Sequence, residues 1–337
     1  MFDYRNAEKI LEAKDVVVKF HLRGRTLTAI RGISMELYRG ESLAIVGESG
    51  SGKSVFTKTF MGLLDQNGWV DSGSIVYSGR SYAGQGIDLV SLKKEKDWLK
   101  IRGKEIAMVF QDPMTSLNPL KSIGKQIQET VELHQGLKGE AAKKKTLEIL
   151  EDVGISEPER RYRQYPHEFS GGMRQRVVIA IAVACNPEIL ICDEPTTALD
   201  VTIQAQILKL LHNLQEKYSL TIIYITHDLG VVANVADRIA VMYLGRVVES
   251  GSARAIFKNP IHPYTKGLLK SMPVLGNKSS ERLHAIEGNV PVPLDPPDEC
   301  GFCSRCQEKT AACAGSIPPL VEVEPDHLVR CFHYQGE

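Results

Sequence analysis

Hydrophobic and polar positions alternate in short runs over the first part of the chain. Residues 16–20, 34–37 and 42–46 each form such a run, bounded by polar or glycine residues, which predicts short β-strands separated by turns. A glycine-rich stretch follows the third run, and residues 54–64 then predict a helix. Residues 73–110 contain further short strand patterns and a polar insert.

The pattern changes to a helical period in residues 119–185. Ile123, Ile127 and Val131 recur at four-residue spacing, and similar spacing continues further along the segment. Such a stripe indicates amphipathic helices that bury one face. We therefore expect a helical subdomain over about 119–185.

Two fully apolar runs follow the predicted helical segment. Residues 189–192 and 221–226 are bounded by polar residues, and a helix is predicted between them at about 201–218. Strands that are apolar on both faces and alternate with helices favour a parallel sheet covered on both sides. The fold class is therefore α/β.

The amino-acid composition changes near residue 260. Four prolines fall within seven residues and predict a linker or an extended wrap: Pro291, Pro293, Pro296 and Pro297. Five of the seven cysteines lie in the last 38 residues: Cys300, Cys303, Cys306, Cys313 and Cys331. We expect residues 1–259 to form one domain and 260–337 a small cysteine-rich extension.

Composition and charge exclude several classes of protein. The 337 residues include 41 Lys+Arg and 41 Asp+Glu, and 43% are hydrophobic, so the chain as a whole is neither disordered nor fibrous. Zero net charge argues against binding nucleic acid through bulk electrostatics. The apolar run 177–185 is far shorter than the about 20 residues of a membrane span. The charged start MFDYRNAEKI lacks the apolar core of a secretory signal, so a cytoplasmic protein is expected.

The glycine-rich stretch carries a complete phosphate-loop motif: Gly47, Glu48, Ser49, Gly50, Ser51, Gly52, Lys53 and Ser54 match G-x-x-x-x-G-K-[ST]. The glycines allow successive N–H groups to point at one phosphate, and the helix that follows adds its dipole. In this motif Lys53 lies between the β- and γ-phosphates, and the Ser54 hydroxyl reaches Mg²⁺. A strand before the loop and a helix after it favour a nucleotide site over an incidental turn.

Two acids end the apolar run 189–192. Asp193 and Glu194 follow directly, and ligands of parallel sheets bind beyond the carboxyl ends of the strands. Beside a phosphate loop, Asp193 is predicted to hold Mg²⁺ through water, and Glu194 to polarise the attacking water.

A second Ser-Gly-Gly turn precedes a predicted helix at Ser170, Gly171 and Gly172, within the segment FSGGMRQR. A helix start of this kind also binds anions. Because one bound nucleotide does not need two phosphate sites, we expect this turn to serve the nucleotide of a partner chain.

Together with Gln111, Asp200 and His227, these motifs resemble the ATPase subunit of an ABC transporter over about residues 12–258. The resemblance implies a P-loop NTPase fold of the ABC cassette type. Such a cassette has a RecA-like parallel-sheet core, an antiparallel β subdomain and an α-helical signature subdomain. It binds ATP and Mg²⁺.

The resemblance also assigns roles to single residues. Phe20 would stack on adenine, although an aromatic residue on a strand is also a common core residue. Gln111 would sense Mg²⁺ and the γ-phosphate and couple to the membrane subunit. Residues 170–172 would close on the nucleotide of the other ATPase subunit, Asp200 would lie at the dimer seam, and His227 would contact the γ-phosphate.

The segments QDPMTSLNP at 111–119 and NPIHPYT at 259–265 resemble the oligopeptide and dipeptide importer branch, and the tail does so too. In relatives of that branch the tail holds a [4Fe–4S] cluster, here implied on Cys300, Cys306, Cys313 and Cys331. Cys303 departs from the family pattern and could replace one ligand. Zinc on four thiolates or on thiolates with His327 or His333, and thiols that bind no metal, remain the alternatives.

The resemblance implies an ATP-hydrolysing subunit that energises peptide import from the cytoplasmic side of the membrane. Its expected partners are a second, related ATPase subunit, two permease subunits and, through them, a solute-binding protein; no nucleic acid is expected. The cargo could instead be another small solute, such as a nickel chelate or glutathione. A soluble ABC ATPase acting on nucleic acid, and a cysteine tail that gates the ATPase by redox state, are the other hypotheses.

Overall fold

The computed structural model describes residues 4, 7–197, 199–272, 286–291, 294 and 298–334. Within these residues twelve strands are present: β1 Lys9–Leu22, β2 Arg25–Tyr38, β3 Ser42–Val46, β4 Gly68–Tyr77, β5 Ile87–Asp88, β6 Ile106–Val109, β7 Ile189–Asp193, β8 Thr221–Thr226, β9 Arg238–Tyr243, β10 Arg246–Ser252, β11 Val321–Glu324 and β12 His327–Val329.

The same residues form eleven α-helices: α1 Lys53–Thr59, α2 Glu95–Trp98, α3 Pro113–Ser116, α4 Ile123–Gln135, α5 Gly139–Asp152, α6 Pro158–Tyr162, α7 Gly171–Ala184, α8 Val201–Tyr218, α9 Leu229–Val232, α10 Ala253–Lys258 and α11 Pro263–Lys270. Short 3₁₀ turns lie at Arg80–Tyr82, Leu89–Ser91, Pro166–Glu168, Cys303–Arg305, Ala311–Cys313 and Phe332–Tyr334. Among the described residues, no helix is both long and apolar enough to cross a bilayer.

An antiparallel sheet contains the first part of the chain, in the order β2-β1-β4-β5. The short strands predicted at 16–20 and 34–37 are parts of two 14-residue strands, β1 and β2. The register between β1 and β2 shifts between Ala13 and Val16 and again after Val16. Each shift breaks the two-residue alternation, so the pattern shows only fragments of each strand.

A larger sheet runs in the order β11-β12-β10-β9-β3-β8-β7-β6. Strands β9, β3, β8, β7 and β6 are parallel, and β10, β12 and β11 add antiparallel strands at one edge. Every residue of β3, β7 and β8 is buried, as predicted for strands covered on both faces. The carboxyl ends of these three parallel strands meet at one edge of the sheet, and the functional motifs follow them.

Helices α4, α5 and α7 pack on one another in the segment predicted to be helical. The segment is interrupted by α6 and by the turn Pro166–Glu168, each with proline at its start. The helix predicted at 54–64 ends earlier, at Thr59. Gly62 has a φ of 60°, and a Cβ there would lie 2.4 Å from the Trp98 ring, so a turn stands where a continued helix was predicted.

The tail joins the large sheet through β12, which pairs with β10. Glu249 of β10 is fully buried at this junction. Its carboxylate lies 2.8 Å from His327 Nε2 and accepts hydrogen bonds from the backbone N–H groups of Ile261 and His262 at 2.8 and 2.9 Å. This satisfied buried group fastens the tail to the core. Of the prolines of the predicted linker, Pro293, Pro296 and Pro297 lie outside the described residues.

Candidate functional site

The loop between β3 and α1 is shaped by glycine. Gly47 has a φ of 154°, and a Cβ there would lie 2.2 Å from the carbonyl oxygen of Met242. Gly52 has a φ of 98°, and a Cβ there would lie 3.0 Å from the Ala29 carbonyl oxygen. A side chain fits neither position, so the curled path of the loop requires glycine at both ends.

Lys53 is held inside this loop. Its Nζ donates to the carbonyl oxygens of Gly47 at 2.7 Å and Glu48 at 3.0 Å, and the side chain is buried. Burial lowers the pKa of Lys53, while the nearby carboxylates of Glu194 and Asp193 act in the opposite direction. The loop therefore carries a cation next to an acidic pair.

Ser54 and Asp193 meet at the start of α1. The Ser54 hydroxyl donates to Asp193 Oδ1 at 2.9 Å. Burial raises the pKa of Asp193, and the hydrogen bond from Ser54 offsets part of that rise. A hydroxyl beside a carboxylate oxygen is the donor chemistry that Mg²⁺ prefers, so this pair fits the ion.

The carboxylate of Glu194 has three side-chain hydrogen-bond partners. Its Oε2 accepts hydrogen bonds from Gln111 Nε2 at 2.8 Å and from the Thr197 hydroxyl at 2.9 Å, and its Oε1 lies 3.0 Å from His227 Nδ1. The backbone of Glu194 has a φ of 47°, an uncommon conformation for a residue other than glycine.

The surroundings of Glu194 also set its protonation. Burial by itself raises the pKa of this carboxyl, but the hydrogen bonds from His227 and Thr197 outweigh burial, and the pKa is lowered overall. Glu194 is therefore ionised at neutral pH. An oriented carboxylate of this kind can accept a proton from water.

Most of these residues, though not Gly47 or Asp193, line one pocket of about 830 Å³. It brings together most of the phosphate loop with Gln111, Glu194, Thr197 and His227. Its remaining wall comes from the tail: Leu268, Gly288, Asn289 and Val290. The motifs along the chain predicted the phosphate loop, Gln111, Glu194 and His227 but not Thr197, and the fold places all of them in one cavity.

Phe20 lies at a second pocket of about 450 Å³, whose wall also includes Ser49, Gly50 and Val55 of the loop region. The Phe20 side chain is largely buried, and its ring packs so closely against Gly68 that a Cβ there would lie 2.4 Å away. Phe20 is thus a core residue that also forms part of the pocket wall.

Ser170, Gly171, Gly172 and Asp200 do not line either pocket. Ser170 caps α7 and Asp200 caps α8, each by accepting a backbone hydrogen bond, from Met173 at 3.4 Å and from Ile203 at 2.9 Å. The starts of the two helices are neighbours, since a Cβ at Gly172 would lie 2.7 Å from Ile203.

Two family models match the chain: ABC transporter over residues 30–197, and oligopeptide/dipeptide transporter, C-terminal region, over residues 248–313. The oligopeptide transport ATP-binding protein OppD of Bacillus subtilis is 52% identical over 325 residues, which cover 96% of this chain and 88% of that protein. The chain belongs to the ABC transporter family.

Other relatives agree. The oligopeptide transport ATP-binding protein AmiE of Streptococcus pneumoniae is 55% identical, over 84% of this chain and 77% of that protein. The dipeptide transport ATP-binding protein DppD of Lactococcus lactis is 51% identical, over 96% and 91%. The predicted resemblance to the oligopeptide and dipeptide branch is therefore confirmed.

Solved structures show the same cassette. The dimeric bacterial ABC transporter cassette MJ0796 matches with a TM-score of 0.63 at 29% identity, over 73% of this chain and 99% of that one. CbiO1 from Clostridium perfringens matches with a TM-score of 0.62 at 30% identity, over 75% and 92%. The predicted ABC cassette fold and the ATPase class are confirmed.

The five tail cysteines of this ABC ATPase all have free thiols, and the backbone N–H of Cys300 donates to the carbonyl oxygen of Cys313 at 3.1 Å. Burial raises the pKa of Cys300 to about 11, and the neighbouring thiols of Cys313, Cys331 and Cys303 act in the same direction. Within the described ranges, no three His, Cys, Asp or Glu side chains are arranged to hold a metal ion. The donor chemistry fits a thiolate-bound metal, while the side chains do not form a finished coordination shell.

Sequence reasoning missed several residues of the ABC ATPase site. Thr197 orients Glu194, and its only signal is its place three residues beyond that acid. Gly288, Asn289 and Val290 reach the pocket from the tail without any motif. Tyr264 lies in the segment NPIHPYT without a predicted role, yet its hydroxyl accepts a hydrogen bond from the Glu48 backbone N–H at 2.8 Å.

Proposed function

We propose that this ABC ATPase powers the import of oligopeptides or dipeptides through a partner permease. The main structural support for ATP hydrolysis is the position of Glu194. Its carboxylate lies at the phosphate-loop pocket and is oriented by Gln111, Thr197 and His227. The relatives support the cargo class, since OppD, AmiE and DppD are named for oligopeptide or dipeptide transport.

The residues around the pocket have distinct roles in the proposed reaction. The backbone of Gly47–Ser54 and the Lys53 ammonium bind the β- and γ-phosphates. Ser54 and Asp193, with Gln111 nearby, would hold Mg²⁺, which supplies neutralisation of phosphate charge. Glu194 orients the attacking water and accepts its proton, and His227 contacts the γ-phosphate. Phe20 borders the adenine.

A second ATPase subunit, related but different, completes each site in this proposal. Ser170, Gly171 and Gly172 lie outside the chain's own pocket, which suits a role at the partner's nucleotide, and Asp200 lies beside them. ATP closes the pair and hydrolysis reopens it, a shift between two populations. The cassette, residues 1–259, docks peripherally on the cytoplasmic face of two permease subunits, which receive cargo from a solute-binding protein.

The test of this function uses the assembled transporter in proteoliposomes: this chain, a second ATPase, two permease subunits and the solute-binding protein. We expect peptides to stimulate ATP hydrolysis and to accumulate inside the vesicles. A nickel chelate and glutathione serve as comparison cargoes. Stimulation by one of these but not by peptides would contradict the cargo assignment, and co-purification with RNA or DNA in place of a permease would contradict the importer.

We further propose that the extension, residues 260–337, binds a [4Fe–4S] cluster through Cys300, Cys306, Cys313 and Cys331, with Cys303 as a possible substitute ligand. Cysteine thiolates are the donors of such clusters, and all four of these thiols are buried or half-buried. Zinc is the rival, with His327 or His333 as possible further ligands. However, His327 Nε2 lies 2.8 Å from Glu249 Oε1, so this nitrogen already has a hydrogen-bond partner in place of a metal.

Metal analysis of anaerobically purified protein distinguishes a [4Fe–4S] cluster from zinc. We expect about four iron atoms per chain and a visible absorption band for a cluster bound by four thiolates. Cys313→Ser should lose both, and Cys185→Ser, which removes a buried thiol remote from the tail, should keep both. A colourless protein with stoichiometric zinc would overturn the cluster, and iron retained in Cys313→Ser but lost in Cys303→Ser would reassign the ligand.

A further inference from the structure

The tail forms part of the nucleotide pocket. Gly288, Asn289 and Val290 line the phosphate-loop cavity, and Val290 and Pro291 also line the adjacent apolar pocket beside Phe20. These residues come from a stretch without helix or strand. A pocket wall without regular secondary structure needs other contacts to hold its position.

Arg305 supplies these contacts. Its Nε donates to the carbonyl oxygen of Glu287 at 2.8 Å, and its Nη2 donates to those of Ile286 at 3.2 Å and Gly288 at 3.0 Å. Three bonds from one guanidinium thus fix three consecutive residues, the last of which is the first pocket residue of this stretch.

The same guanidinium binds the phosphate loop. Nη1 and Nη2 donate to the two carboxylate oxygens of Glu48 at 2.6 and 3.0 Å, a bidentate pair. The Arg305 side chain is only 4% exposed, whereas that of Glu48 is 29% exposed. Nη1 also lies 3.3 Å from the Tyr243 hydroxyl. Arg305 therefore joins two walls of one cavity through a partly buried, directional contact.

Arg305 also sits inside the cysteine segment, as the last residue of the turn Cys303–Arg305 and next to Cys306. Phe302 of this segment packs on Tyr243 and Tyr264, with ring centroids 5.3 and 5.4 Å apart. The Tyr264 hydroxyl accepts from the Glu48 N–H. The folded cysteine segment thus reaches Glu48 by two routes, one to its carboxylate and one to its backbone.

We propose that Arg305 is a positioning residue of the nucleotide site, which clamps segment 286–290 onto the phosphate loop through Glu48. The clamped wall covers the nucleoside part of a nucleoside triphosphate, because Val290 and Pro291 are apolar and face the same pocket as Phe20. This inference rests on the proposed nucleotide role of the cavity. It makes nucleotide affinity depend on the fold of the cysteine segment.

Binding of trinitrophenyl-ATP to the purified full chain tests the clamp. Arg305→Ala should raise the dissociation constant about tenfold, since a charge-assisted bidentate pair is lost, and in the assembled transporter it should raise the KM for ATP to the same extent while kcat changes little. Arg305→Lys should restore part of the affinity, because one ammonium cannot bind both carboxylate oxygens and three carbonyls. Arg160→Ala, at an exposed arginine on α6 paired with Glu157, is the matched control.

The double variant Arg305→Ala/Glu48→Gln distinguishes a clamp from two separate effects. Both substitutions break the same pair, so the double variant should bind no more weakly than Arg305→Ala alone. Glu48→Gln by itself leaves the three carbonyl bonds of Arg305 in place, and it tests the pair even if Arg305→Ala fails to fold. Wild-type affinity in Glu48→Gln, or additive losses in the double variant, would overturn the clamp.

Lys53→Ala separates the failure of the clamp from that of the nucleotide site. If the wild-type chain binds no more tightly than Lys53→Ala, the cavity does not bind nucleotide and the proposed function itself has failed. If the wild type binds, Lys53→Ala does not, and Arg305→Ala binds like the wild type with an unchanged unfolding midpoint, only the clamp is wrong.

Discussion

Replacing Glu194 by glutamine is expected to lower ATP turnover by about 10²- to 10⁴-fold, the usual contribution of a general base. The amide keeps the size of the side chain and can still pair with the hydroxyl of Thr197, but it cannot accept a proton from water. ATP binding should persist, because the phosphate loop and Lys53 are unchanged. The closed pair of ATPase subunits should therefore accumulate with ATP bound.

Three measurements check this expectation. The single-turnover rate reports the chemical step, equilibrium binding reports ATP affinity, and size-exclusion chromatography with ATP reports the closed pair. Glu157→Gln, at an exposed carboxylate on the helical subdomain, is the matched control and should hydrolyse ATP normally. Wild-type turnover in Glu194→Gln would mean that another group activates the water.

The local motifs made much of this site predictable. The phosphate loop, the acids at the end of β7 and the histidine after β8 each stand at the carboxyl end of a buried strand, and parallel strands bring their carboxyl ends to one edge. The phosphate-loop motif includes Gly47 and Gly52. The structure explains why, since the backbone at both positions has a positive φ and leaves no room for a Cβ. The strand spans 42–46 and 221–226 and the helix span 201–218 coincide with the observed elements.

Other features have no local signal. The Arg305–Glu48 pair joins residues 257 positions apart, and nothing around either residue marks the other. The register shifts in β1 and β2 hide their true length. Gly62, three residues beyond the end of α1, packs against Trp98, which lies far along the chain. For the Arg305–Glu48 pair and for this contact the partner is distant in sequence, so periodicity and propensity alone cannot find it.

The tail illustrates how a fold joins segments that differ in composition. The prolines and cysteines mark residues beyond 260 as unlike the cassette, yet β12 pairs with β10 of the large sheet and Glu249 binds His327. The tail also supplies one wall of the nucleotide pocket. The change in composition near residue 260 therefore does not mark a structural separation, because hydrogen bonds and packing connect the tail to the rest of the chain.

Replacing His227 by alanine is expected to lower ATP turnover by about 10²- to 10³-fold, the usual cost of removing one group that stabilises transition-state charge. The substitution should also change the pH dependence. His227 is the hydrogen-bond partner that most lowers the pKa of Glu194, against the effect of burial. Without it the pKa of Glu194 rises, so the active carboxylate is lost at a higher pH.

The acid limb of the pH–rate profile should therefore move to higher pH in His227→Ala, whereas a group that only contacts phosphate would lower the rate at every pH alike. Single-turnover rates from pH 5 to pH 9 measure the shift. His212→Ala, at an exposed histidine on α8, is the matched control and should keep the wild-type profile. An unshifted acid limb in His227→Ala would show that His227 does not set the ionisation of Glu194, and would leave it a role at the phosphate alone.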